Sequence, residues 1–65
     1  MDVTTAPYRG CEEYSVRMIV MGNDGYCKEV EQSYYARGKA AHKRIQTYIE
    51  RHTPELVRVI RVSYV

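Results

Sequence analysis

The chain has 65 residues, 45% hydrophobic and 28% charged, with ten Lys and Arg against eight Asp and Glu for a net charge of +2. That composition belongs to one folded domain rather than a disordered chain, and the small positive balance excludes a strongly acidic DNA mimic without by itself announcing a nucleic-acid binder. No run approaches the roughly 18 apolar residues of a membrane span, and the opening MDVTTAPYRG lacks the basic and apolar regions of a signal peptide, so a cytoplasmic location with no membrane partner is expected.

Residues 1–12 mix Thr, Pro, Gly and acidic residues without a period and read as a flexible N-terminal arm ahead of a single ββαβ domain over residues 13–65. From Glu13 to Met21 the chain alternates, with Tyr14, Val16, Met18 and Val20 on one face and Ser15, Arg17, Ile19 and Met21 on the other. Gly22 to Gly25 supplies a hairpin turn, because Asn-Asp-Gly accepts the positive φ values that tight turns require. The second strand, about Tyr26 to Ala36, alternates badly: Lys28 and Gln32 share a face with Tyr26, Val30 and Tyr34, while Tyr35 shares the other with Glu29, Glu31 and Ser33. A bulge or an edge position with one wet face would account for those charges, and the edge is the favoured reading.

Near Arg37 or Gly38 the period changes to 3.6. Gly38, Ala41, Ile45, Tyr48, Ile49 and His52 then fall on one arc of a helix, with Lys39, Lys43, Gln46 and Glu50 opposite, and Thr53-Pro54 ends it. Leu56 to Val65 is rich in β-branched residues and reads as a closing strand with apolar side chains on both faces. The fold class expected is α+β, a three-stranded antiparallel sheet from a β-hairpin, a helix and a strand in the order 2-1-3, with the helix packed on one face.

One helix covers one face of such a sheet, so Ile19, Met21, Val57 and Val59, or the residues on the opposite face, are expected on an uncovered apolar patch, closed by a second copy in a homodimer or by the arm folding back. A 65-residue chain buries only about 60% of the surface its unfolded form exposes, which favours self-association. Seven Tyr with no Phe and no Trp also suit interfaces more than sealed cores.

Cys11 and Cys27 lie on the order of 30 Å apart along the hairpin, too far for a disulfide, which fits a reducing compartment. Cys27 sits beside the turn and His42 and His52 on the helix, so no nucleophile–base pair forms. The two His stand roughly 15 Å apart along the helix axis, which does not make a metal site. No catalytic residue, metal or cofactor is expected, and His52 is expected to be partly buried near the helix end. Arg37, Lys39, Lys43 and Arg44 gather at the helix start, where no Ser, Thr, Asp or Asn caps it, and form a candidate site for a phosphate or an acidic side chain.

The run YSVRMIVMGNDG, Tyr14 to Gly25, resembles the first strand and turn of the small dimeric phage inhibitors of uracil-DNA glycosylase, with Tyr14, Val16, Met18, Asp24 and Gly25 in matching places. The resemblance implies an α+β dimer that occupies the enzyme's DNA-binding face and captures a protruding apolar residue in a hydrophobic pocket. Tyr48, with Ile45 or Ile49, would stand for the family's pocket Phe, and Glu29 or Glu31 for its strand carboxylate; Tyr34 and Tyr35 complete the expected partner-binding set. The expected function is therefore a small dimeric module that inhibits a host nucleic-acid enzyme by occlusion. Direct nucleic-acid binding through the basic helix face, an anti-CRISPR role and membership of a larger assembly are the alternatives.

Overall fold

The computed structural model describes residues 3–65. Its hairpin forms where the alternation and the turn place it: β2 (Glu12–Met21) pairs antiparallel with β3 (Cys27–Ala36) from Glu12↔Ala36 to Met21↔Cys27. The Gly22 N–H donates to the Tyr26 carbonyl at 2.8 Å, and the Asp24 carboxylate accepts the Tyr26 N–H at 3.0 Å. Gly25 takes a φ of 84°, a left-handed position that glycine fills without strain. Cys11 and Cys27 stand at opposite ends of this hairpin as free thiols.

The helix α1 (Ala41–His52) buries Ala41, Ile45 and Ile49 against one face of the sheet. On that face β2 contributes Tyr14, Val16, Met18 and Val20, and β3 contributes Tyr34 and Ala36. The strand β4 (Leu56–Tyr64) returns antiparallel on the far side of β2. Hairpin, helix and closing strand thus take the expected order around a central β2, but the sheet has a fourth strand. Val3 and Thr4 form β1, paired with Ala36 and Tyr35, and the full order is β1-β3-β2-β4.

That strand corrects the reading of residues 1–12 as a flexible arm, of which Met1 and Asp2 lie outside the described residues. Val3 is only 3% exposed and belongs to the core, so β1 caps the end of β3 on the helix side and does not fold over the open face. β3 remains an edge strand from Cys27 to Tyr34, because β1 reaches only its last two residues. The helix also starts later than expected. Gly38 and Ala40 hold φ values of 88° and 62°, and this left-handed turn keeps Arg37, Gly38 and Lys39 out of the helix. His52 is exposed rather than partly buried, because it ends the helix beyond the sheet-facing residues.

The closing strand resolves its two-faced pattern with two irregularities. Its pairing with β2 shifts between Arg17 and Met18 and again between Ile19 and Val20, which leaves Ile60 and Val57 as extra residues. Each extra residue flips the alternation once. Leu56, Val59 and Val62 therefore all face the helix and pack on the core, while Arg58, Arg61 and Ser63 face the other way. Val59 is thus a core-side residue and not part of an open-face interface, and Val57 sits in a bulge.

Candidate binding surfaces

The face of the sheet away from the helix is built in rows by strand register. Ser33, Ser15 and Ser63 form one row across β3, β2 and β4; Glu31, Arg17 and Arg61 form the next; Glu29, Ile19 and Arg58 follow. Arg17 Nε lies 3.2 Å from Glu29 Oε2 and Arg17 Nη2 3.8 Å from Glu31 Oε1. The Ser15 hydroxyl donates to Glu31 at 2.6 Å and the Ser33 hydroxyl to Glu13 at 3.0 Å. This face is a charged, hydrogen-bonded surface with Ile19 and Met21 at one end, which corrects the expectation of an apolar patch. Polar side chains dominate it because it faces water, whereas Tyr14, Val16, Met18 and Val20 of β2 face the helix.

Across the strands the charge is segregated. Glu29 and Glu31 lie on β3, Arg58 and Arg61 on β4, with Arg17 and Glu13 between them on β2. Among the described residues Arg17 holds both ion pairs, so Arg58 and Arg61 have no carboxylate within ion-pair distance.

The second surface lies on the other side of the molecule, where the flank of α1 meets β1. Val3, Ala40, Lys43, Arg44, Thr47, Tyr48, Arg51 and His52 line a groove of about 440 Å³. Helical spacing makes it, since 40, 43 and 44, 47 and 48, and 51 and 52 recur every turn along one flank. Val3, Ala40 and Tyr48 supply an apolar floor, and Lys43, Arg44, Arg51 and His52 a basic rim. The Tyr48 ring stacks on His52 with centroids 4.3 Å apart and meets Tyr34 edge-on at 6.1 Å. A further aromatic run, Tyr64–Tyr14–His42, packs on the opposite flank at 5.4 and 5.1 Å.

The expected partner-binding set divides on these facts. Ile45 and Ile49 are fully buried and Tyr34 is 4% exposed, so all three belong to the core. Glu29 and Glu31 are exposed and Tyr35 half-buried on the open face, and Tyr48 is half-buried in the groove. Burial raises the Tyr34 phenol above its ordinary value, helped by Tyr48 and opposed by the Thr53 hydroxyl. Hydrogen bonding to Glu12, at 2.8 Å, raises that of exposed Tyr64.

The expected basic site also divides. The Arg44 guanidinium donates to the Lys39 carbonyl at 2.8 Å and to the Arg37 carbonyl, and its Nε is buried without a partner. Arg44 therefore ties down the β3–α1 turn in place of a side-chain cap and is not available to an anion there. Arg37, Lys39 and Lys43 are exposed. Of the residues on these two surfaces, Arg51, Arg58 and Arg61 escaped the sequence reading. A signal for the last two exists in the three-residue spacing of Leu56, Val59 and Val62, which places both arginines on one side of a doubly bulged strand.

The class these features define is a helix-on-sheet α+β domain. Comparison with known proteins gives no matching family model, no matching curated protein and no matching solved structure. No helix among the described residues is long and apolar enough to cross a membrane, and none of them form a group of three or more His, Cys, Asp or Glu able to hold a metal ion.

Proposed function

We propose that this chain is a small, non-catalytic protein-binding module that inhibits a host nucleic-acid enzyme by occlusion, in the manner of phage-encoded inhibitors. The observation that carries the reading is the groove beside α1, with its floor of Val3, Ala40 and Tyr48 and its rim of Lys43, Arg51 and His52. An apolar floor inside a charged rim accepts a protruding apolar side chain and excludes water around it, the arrangement of a binding hot spot. The rim selects carboxylates beside that side chain. A body 38 Å long seated there then covers the neighbouring nucleic-acid track. The resemblance of Tyr14 to Gly25 to the glycosylase inhibitors supports uracil-DNA glycosylase as the first target to try.

The test adds the chain to a uracil-excision assay and to a panel of other bacterial nucleic-acid enzymes. Stoichiometric inhibition is expected, with Tyr48→Ala abolishing it while the variant still melts cooperatively. Inhibition of no enzyme, or inhibition indifferent to Tyr48, refutes the groove as an inhibitory site.

A second reading has its own support: the stacked Tyr48–His52 pair stands between Lys43 and Arg51, and aromatic rings beside cations are how single-stranded nucleic acid is held. Binding of that kind falls steeply with salt, and Lys43→Glu with Arg51→Glu flattens the slope. Salt-independent binding to the chain argues for the protein partner.

A further inference from the structure

We propose that two copies of this chain associate through their open sheet faces about a two-fold axis parallel to the strands, with Glu29 and Glu31 of each copy set against Arg58 and Arg61 of the other. The argument is geometric. Aligned sheets stack face to face about 10 Å apart with their strands within about 30° of each other. Two kinds of two-fold axis achieve this. An axis across the strands lays β3 over β3 and β4 over β4, opposing acid to acid and base to base. An axis along the strands lays β3 over the second copy's β4 and keeps every row in place. The Glu31–Arg17–Arg61 row then meets itself reversed, as does the Glu29–Ile19–Arg58 row.

The charge pattern thus selects the second axis and makes the face self-complementary. Two carboxylates, those of Glu29 and Glu31 on β3, face two guanidiniums, those of Arg58 and Arg61 on β4, while Glu13 and Arg17 on β2 lie along the axis and meet their own counterparts. Arg17 leans onto the carboxylates of its own chain, which draws it away from the axis where its counterpart lies. Ile19 and Met21 meet their equivalents and supply apolar contact at one end. In the resulting assembly both helices, and both grooves, face outward.

Size sets the strength. Three strands about 4.8 Å apart and eight residues long at about 3.3 Å each give a footprint on the order of 400 Å² per copy, half that of a standard stable interface at about 800 Å² per partner. A footprint of that size belongs with weak, transient associations, and its exposed ion pairs are screened by salt.

The inference does not rest on the groove, so the two fail separately. Sedimentation of the full chain from about 10 to 500 μM in low salt is expected to show a monomer–dimer equilibrium, with the dissociation constant raised about tenfold or more in 0.5 M salt. The pair E29R and E31R makes one uniformly basic face and R58E and R61E one uniformly acidic face on the flanking strands. Each variant alone is expected to stay monomeric, and an equimolar mixture to form a heterodimer, which also proves that both are folded. R58Q with R61Q, at positions without an intrachain ion pair, weakens association while melting as the parent does at concentrations where both are monomeric. A parent chain that stays monomeric throughout, a dimer untouched by either reversal, or variants that melt like the parent yet do not combine, overturns the proposal.

Discussion

Ala40 is a residue in the wrong conformation for its side chain, and it shows where single positions of this chain can be improved or broken. Its φ of 62° is left-handed, and no side chain caps the helix it precedes. An L-residue loses roughly 1–2 kcal/mol in that conformation, whereas glycine does not. Ala40→Gly is therefore expected to stabilise the chain by about 1 kcal/mol in urea melts. At Tyr34 the sign runs with pH. Its folded-state pKa is raised, so its contribution is fully present below the unfolded value of about 10 and is lost as pH climbs through the folded one. Denaturant melts between pH 8 and pH 11 should show that loss at the alkaline end, and Tyr34→Phe should reduce it. The burial of Tyr34 was legible in principle: the turn sets Met21 opposite Cys27, which counts back to Tyr34 opposite Tyr14 on the wholly apolar face of β2. Ile45 and Ile49 carried the same information, since they centre the apolar arc of the helix. Ile45→Ala should cost about 2–5 kcal/mol and so unfold much of a chain this small, while Tyr48→Ala, which removes a half-buried ring packed on the core beside Tyr34, should cost less and still melt cooperatively.

Elements were legible wherever one period ran unbroken. The 2-residue alternation of β2 and the apolar arc of α1 each state which face is buried, and the structure follows both. β1 escaped because two residues carry no period; Val3 is held by pairing with Ala36 and by the helix above it, both distant in sequence. β4 itself was legible as a strand, but which of its side chains face the helix was not, for a different reason. Its apolar residues recur every third position, a spacing that fits neither a regular strand nor a long helix, and only two bulges bring Leu56, Val59 and Val62 to one side. That arrangement has an unusual consequence for deletions. Removing one residue from a regular strand sends every later side chain to the opposite face. Removing Ile60 instead erases a bulge, leaving Arg61 paired with Arg17 and Val59 with Met18 as before. The Ile60 deletion should therefore keep the fold, with a cost of about 1–2 kcal/mol from altered local twist. Deleting Ile19 from the central strand turns Val20 out of the core and should abolish cooperative melting, so the two deletions compared by circular dichroism separate bulge from strand.

At the scale of the whole molecule the same chain presents two unlike sides, a helix side that holds the core and the groove and a sheet side whose acidic and basic strands would answer one another across the proposed two-fold. Joining two copies back to back leaves a helix–sheet–sheet–helix stack, with the half-covered sheet of each copy covered by the other. It also presents two grooves pointing away from each other, so a target carrying two sites would be held more tightly than by either groove alone. The thermodynamic signature of such a stack is a melting temperature that depends on protein concentration, because unfolding then releases two chains from one particle. Once the dimer predominates, each tenfold rise in concentration adds about 1.4 kcal/mol per dimer. Against an unfolding entropy of about 2.1 cal/mol/K per residue, that shifts the midpoint by roughly 5 °C. Differential scanning calorimetry at two concentrations tenfold apart, both well above the dissociation constant found by sedimentation, should show the shift in low salt and lose most of it in about 0.5 M salt. Tyr48→Ala should leave the concentration dependence intact, since the groove faces away from the axis, whereas R58E with R61E should erase it.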